Sequence, residues 1–353
     1  MLVAARAGQT DWRTSALLTG SVAQLERIGA WERLATKAFP LRRMRIVDGT
    51  RRLIRAPEVT FEAGEVDLNA FGYNISNRDL VADLEELVRE RRIPRIEALA
   101  TGAKTCTDAV MLTLSDGRRL RTHLIVAADG RRSAMREAAG IAIREWTYGQ
   151  AALVCNLRHT LPHYDTSTEF HTEYGPFTLV PLGRNRSSLV WVSQPAEHER
   201  RTALDDDALA AEIEALSQSV LGAISLDSPR QLFPLAGMTA HRFAADRVAL
   251  VGEAGHVVPP IGAQGLNLGL RDVATLAATI GGAADPGSDA LLERYDQARR
   301  FDIVSRTMAI DALNRTLLTD FLPAQMARGL GLFLLDRIGP LRRAAMRQGL
   351  GAR

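Results

Sequence analysis

Arg247 to Asp272 reads RVALVGEAGHVVPPIGAQGLNLGLRD, and the fold turns on how this stretch is read. Val248 to Val251 is a short apolar run of the kind that forms a buried strand. Gly252 interrupts it, a Pro-Pro and Gly-rich loop follows, and helical spacing sets in near Gly265. A loop that leads into a helix N-terminus presents unpaired backbone N–H groups at the positive end of the helix dipole. Such a place suits an anion or the electron-rich edge of a ring.

A second stretch has the same strand-turn-helix form. The apolar run Leu120 to Ala127 ends in Ala127-Ala128-Asp129-Gly130-Arg131-Arg132-Ser133, and a helix over Ala134 to Ala139 follows. An acid at the C-terminal end of a strand is where open α/β sheets place ligand contacts. The alternative, that Asp129 only caps the next helix, stays open.

Working outward, Leu17, Leu18, Val22, Leu25 and Ile28 predict a helix over Ser15 to Leu34, with Gly29 near its end. Leu41 to Val47 alternates as a strand before an Asp48-Gly49 turn, and Asn77 is the expected N-cap of a helix running to about Arg91. Arg95 to Leu99, Ala109 to Ser115 and Leu120 to Ala127 read as strands, the first two joined by a Lys104 to Asp108 turn and the last two by Asp116-Gly117. From Gln150 to Val192 the pattern becomes a run of alternating strands, which predicts an antiparallel sheet forming a second domain. Leu204 to Leu221 reads as helix, Gln231 to Leu235 as a return strand, and most of the chain beyond Asp289 as helix.

The 353 residues are 46% hydrophobic and 24% charged, ordinary globular material with room for one or two cores. A net charge of +3 gives no global support for nucleic-acid binding. Cys106 and Cys155 lie far apart without metal-ligand spacing, so neither a zinc site nor a disulfide framework is indicated. No apolar run reaches the roughly 20 residues of a spanning helix, and no signal-peptide core is seen, so a cytoplasmic location is expected. From Arg328 onward six arginines stand against the single acid Asp336, interleaved with Leu and Phe. This segment suits either a helix at the inner-membrane surface or one packed on its own protein or a partner.

Three ordered segments carry a resemblance. DWRTSALLTGSVAQLERIGAWERL with PLRRMRIVDG, then LIVAADGRRSAMRE, then VALVGEAGHVVPPIGAQGLNLGLRDVATLA resemble the FAD-dependent aromatic hydroxylases, in particular their ubiquinone-biosynthesis branch. The likeness covers nearly the whole chain. It implies an α/β fold: a Rossmann-like FAD-binding domain over 1–150 and 236–353, an inserted antiparallel-sheet substrate domain over 151–235 with part of 41–75 contributing, and a helical C-terminus. It places Gly252 and Glu253 at the flavin's ribityl and ribose region, with Glu253 standing where the family usually has Asp. Pro259, Gly262, Gln264 and Gly265 match the loop beneath the isoalloxazine, and Leu266 and Asn267 open the helix after it. Asp129 and Gly130 match the fingerprint said to serve both the flavin pyrophosphate and the nicotinamide donor, and Arg13 matches an arginine reaching the flavin from the first helix. His256 sits where the family tends to have histidine, in a packing or hydrogen-bonding role.

The resemblance implies hydroxylation of an activated, polyprenylated phenol or quinol, with FAD, O2 and NAD(P)H or an electron-delivery partner. The oxidant implied is a flavin C4a-hydroperoxide, so no residue of the chain is expected to be catalytic in its own right. The family begins with a strand, a G-x-G-x-x-G turn, a helix and a second strand, a unit of roughly 30 residues. That unit is not found ahead of Asp11, and the sequence given is expected to be N-terminally truncated. Two alternatives stand beside this reading: a flavin-less accessory member of a quinone-biosynthesis assembly, and a reductase or halogenase on the same fold. The halogenase is disfavoured because its Trp-x-Trp-x-Ile pattern is absent around Trp191.

Overall fold

The computed structural model describes residues 1–5, 11–50, 55–260, 262–318, 331 and 337–350. Most of the apolar part of the C-terminal segment, and Ile261 in the Pro-Pro loop, lie outside the described residues.

The chain divides into two compact units. The first comprises Met1–Thr10, Glu85–Tyr148 and Ala236–Ile310, the second Asp11–Leu84, Gly149–Leu235 and Asp311–Arg353. This grouping joins all of 11–84 to 149–235, where the sequence led us to expect only part of 41–75 to leave the nucleotide domain. Strand pairing is the reason: Arg43–Asp48 runs parallel to Thr166–Thr172, from Thr166 opposite Arg43 to His171 opposite Asp48.

In the first unit, Ile125–Ala127 and Val248–Leu250 are parallel neighbours, with Ala127 opposite Leu250. The antiparallel edge strand Ala244–Ala245 completes this small sheet. Ala100–Thr105, Val110–Leu114 and Arg119–Thr122 form a separate antiparallel sheet, and Leu2–Val3 pairs in parallel with Arg95–Ile96. The expected single strand Leu120 to Ala127 is therefore two, and the expected Lys104 to Asp108 turn begins inside a strand. Val110, Leu114, Met135, Val248, Leu250 and Ala254 share one buried cluster. A second buries Phe243, Ala249, Leu276, Tyr295 and Ile303, which packs the helices Gln264–Ile280 and Asp289–Leu318 on the strand Val248–Leu250.

In the second unit, residues 149–159 of the strand Ile143–His159, then Arg186–Ser193, Gly175–Gly183 and Thr166–Thr172, follow one another in an antiparallel order. Phe170, Phe177 and Trp191 stack edge to face inside it, with centroids 5.7 and 5.2 Å apart. The helix Asp206–Leu216 covers that core with Leu209 and Ile213. The helix expected over Ser15 to Leu34 is corrected: Thr14–Leu18 is a strand paired with Gly72–Ser76, and only Thr19–Arg27 and Trp31–Leu34 are helical. The reason is tertiary, since Gly72 lets the strand Gly72–Ser76 lie where a Cβ would stand 2.2 Å from the Leu17 carbonyl oxygen. The C-terminal helix Gly339–Leu350 docks within this unit, Met346 joining Ala63, Val66 and Phe71 in one buried cluster.

Candidate active site

Adjacent parallel strands deliver the two glycine turns of the first unit to the same, C-terminal end of their sheet. Asp129 and Gly130 follow Ala127, Gly252 and Glu253 follow Leu250, and the Val251 N–H donates to the Ala127 carbonyl at 2.9 Å. The C-terminal ends of parallel strands are where α/β sheets hold their ligands.

Arg136 ties the turns together. Its side chain is buried, and its Nη1 donates to the carbonyls of Arg131 and Ala254, both at 2.9 Å. No sequence motif singled it out; the available signal was an arginine on the inward side of a short helix. That helix, Ala134–Ala138, is capped by the Ser133 hydroxyl, which accepts the Arg136 N–H at 2.9 Å. The Asp129 carboxylate also accepts the Met135 N–H at 3.2 Å, so the capping alternative is part of what Asp129 does. Its side chain is nonetheless exposed, as is that of Glu253 in the turn Gly252–Ala254.

The loop after Pro259 enters the helix Gln264–Ile280 through two left-handed residues, Gly262 at φ 64° and Ala263 at φ 55°. Ala263 offers no side-chain cap, and no acid stands in the first turn. The opening N–H groups therefore keep their partial positive charge for whatever lies before them. Gln264 and Asn267 brace the loop instead, their amides donating to the carbonyls of Gly262 at 3.2 Å and Ala263 at 2.5 Å. Pro259 and Asn267 are buried, while Gly262, Gly265 and Leu266 are exposed.

The glycines test whether a flat, bulky cofactor fits. Gly130 and Gly252 have φ of 82° and 59°, a backbone that disfavours any other residue, and a Cβ on either would meet nothing within 4 Å. Gly265 is more telling. Its φ does not demand glycine, and a Cβ there would also meet nothing within 4 Å, so neither backbone nor protein packing explains it. Gly269, one turn on, does have a packing reason: a Cβ would stand 3.2 Å from the Gly252 Cα. A surface bare of side chains at 130, 252, 262 and 265, beside an uncapped helix start, fits a flavin dinucleotide.

Behind this surface lies a buried ionic network that sequence reasoning missed. Asp272 accepts the Gly252 N–H at 2.9 Å, His256 Nε2 at 2.7 Å and Arg299 Nε at 2.7 Å. Arg299 Nη1 continues to Asp302 at 2.8 Å, which Arg306 also reaches at 2.8 Å. Burial alone would raise the Asp302 carboxyl, but hydrogen bonds from Arg306 and Arg299 outweigh it and hold it at about 2. Tyr295 donates to the Leu250 carbonyl at 2.6 Å, and burial pushes its hydroxyl far above the usual range, so it stays a donor. The legible signal was the one-sided spacing of Arg299, Asp302 and Arg306 at i, i+3 and i+7; nothing in the sequence linked them to Asp272.

Arg13 is placed differently from the other site candidates. It belongs to the second unit and precedes a strand instead of lying on a helix. Its guanidinium pairs with Asp11 at 2.8 Å and lies 4.8 Å from the centre of the Phe233 ring. Burial opposes ionisation of Asp11, but hydrogen bonds from Arg13 and Asn77 prevail and bring its carboxyl to about 2. Cys155 is buried and its thiol pushed up to about 12, which leaves it without nucleophilic character at neutral pH.

A family model described as FAD binding domain matches residues 2–309. The chain is 37% identical over 349 residues to the ubiquinone hydroxylase UbiL of Rhodospirillum rubrum, spanning 97% of this chain and 80% of that protein. It is 30% identical over 352 residues to the 3-demethoxyubiquinol 3-hydroxylase of Escherichia coli, spanning 97% of this chain and 88% of that one. Among solved structures, the p-nitrophenol 4-monooxygenase PnpA of Pseudomonas putida superposes with a TM-score of 0.80 at 21% identity, over 99% of this chain and 91% of that one. Klebsiella pneumoniae HpxO, solved with FAD and uric acid, gives 0.77 at 19% identity, over 98% and 89%. These two share the fold.

Proposed function

This chain belongs to the FAD binding domain family and is an FAD-dependent monooxygenase, and from that premise we propose that it hydroxylates the ring of a polyprenylated phenol or quinol in ubiquinone biosynthesis, with NAD(P)H as electron source. The single observation that carries the substrate class is the 37% identity to a ubiquinone hydroxylase along 97% of the chain.

In this reading Asp129 and Gly130 face the pyrophosphate, Gly252 and Glu253 the sugar chain, and Pro259, Gly262, Gln264, Gly265, Leu266 and Asn267 the ring. When bound, FAD supplies the redox chemistry that activates O2 and delivers one of its oxygen atoms to the substrate. The work of the chain is to bind, shape and polarise. The exposed Glu253 carboxylate accepts a sugar hydroxyl, and the uncapped start of helix Gln264–Ile280 stabilises negative charge on the ring edge without a side chain in the way. Gly130 and Gly252 let the backbone approach the ligand closely. Arg13 is assigned to the flavin side, oriented by Asp11 and Phe233. The sheet of the second unit carries the substrate contacts. Among the described residues no helix is long and apolar enough to cross a membrane, and the described end of the arginine-rich C-terminal segment, Gly339–Leu350, packs on its own protein through Met346 and the Arg342–Glu65 pair.

The deciding experiment supplies the purified chain with FAD, NADPH and a prenylated phenol under 18O2. One labelled oxygen atom in the product ring is expected. Turnover that leaves the ring unlabelled, or no flavin bound at all, sinks the assignment.

A further inference from the structure

The Asp272 carboxylate has no exposure to solvent, yet its two oxygens do different work. Oδ1 receives the Arg299 Nε at 2.7 Å, which balances its charge. Oδ2 receives two donors from the glycine turn, the Gly252 N–H at its start and the His256 Nε2 at its end. A carboxylate needed only to pair with Arg299 has no use for the second arrangement. One oxygen thus holds both ends of the turn 252–256, and the same residue lies on the helix whose opening residues form the ring-side loop. The close approach of Gly269 to the Gly252 Cα brings helix and turn into contact at the same point.

We propose that Asp272 is a positioning residue for FAD: it locks the sugar-side turn and the ring-side helix start into one preformed cradle, with Arg299 anchoring it from the helix Asp289–Leu318. The proposal rests on the reading that 252–267 receives FAD. Pinning the Gly252 N–H inward fixes the peptide plane between Val251 and Gly252, so the outward face of the turn is set before any ligand arrives. Preorganisation of this kind raises affinity by removing the ordering cost from the binding step.

The geometry supplies a test that separates positioning from simple support. In Asp272→Asn/Arg299→Met, the amide oxygen takes the place of Oδ2 and still accepts from Gly252 and His256. The amide nitrogen takes the place of Oδ1, where its donor partner has been removed. In Asp272→Leu/Arg299→Met both buried charges are again gone, but so is the acceptor. FAD affinity is read by quenching of flavin fluorescence, and apo-protein folding by circular dichroism. The Asn/Met protein is expected to bind FAD within about threefold of wild type and the Leu/Met protein at least about tenfold more weakly, the scale of one or two lost hydrogen bonds. Equal affinity of the two double variants overturns the proposal. His256→Leu, which leaves the Asp272–Arg299 pair intact and frees one end of the turn, is the arm that decides if the Leu/Met protein does not fold. It is expected to bind FAD several-fold more weakly, and wild-type affinity there also overturns the proposal. Failure of the wild-type chain itself to bind FAD overturns the cofactor reading beneath it, and so is told apart from failure of the positioning role alone.

Discussion

Gly265 is the residue at which stability and binding should part company. It sits in the first turn of a 17-residue helix with an ordinary helical φ, and a Cβ there would touch no protein atom within 4 Å. Replacing glycine by alanine inside a helix gains up to about 1 kcal/mol. Gly265→Ala should therefore raise the apo-protein melting temperature slightly while weakening FAD, because the new methyl group stands where the ring-side loop is bare. A weaker apo protein with unchanged FAD affinity would show that this glycine has a structural role and no ligand faces it. Gly252→Ala should differ, losing both, since its φ of 59° costs a residue with a Cβ about 1–2 kcal/mol. Asp302 gives a pH signature at the same scale. Its folded pKa of about 2 lies below the ordinary 3.8, so its stabilisation is fully present above about pH 4 and is lost as pH falls toward 2. The amount is on the order of 2 kcal/mol. An acid titration of Asp302→Asn, followed by circular dichroism, should show a shallower fall in stability across that window than wild type.

At the scale of elements, what the sequence made legible was whatever is determined locally. The strand-turn-helix at 248–280 and the capped helix after Ala127 were readable because apolar runs, glycines and caps lie next to each other in the chain. Thr14–Leu18 was not, because Leu17 and Leu18 fit a helical period as well as a strand, and what settles the matter is the partner strand Gly72–Ser76, more than 50 residues away. The same holds for Asp272 and Arg299, two ordinary charges until two helices bring them to 2.7 Å. Gly72→Ala tests the strand assignment. Its Cβ would stand 2.2 Å from the Leu17 carbonyl oxygen, a rigid backbone atom, so the pair must separate. Overpacking of this kind costs about 1–3 kcal/mol, and a chemical-denaturation midpoint unchanged by the substitution would contradict the register described here.

For the whole molecule, the division into two units makes FAD binding a spatially uneven event. Asp129, Gly130 and the candidates from Gly252 to Asn267 belong to the first unit, whereas Arg13 belongs to the second with Asp11, Asn77 and Phe233. The first unit has its own buried clusters, around Leu250 and around Tyr295, and the second has another around Phe177 and Trp191. A ligand that binds only the folded state stabilises it by RT ln(1 + [L]/Kd), about 2.7 kcal/mol at a hundredfold excess over Kd. Local openings that break the site feel this term, while openings elsewhere do not. Hydrogen exchange followed by mass spectrometry should therefore show FAD slowing peptides that cover 127–136 and 248–268, with the sheet strands 166–193 changing little. Protection around Arg13 is the informative remainder. If FAD slows exchange at 11–18 as well, Arg13 takes part in holding it; if those peptides are indifferent, Arg13 serves only its pair with Asp11, and the cofactor is held by the first unit's turns.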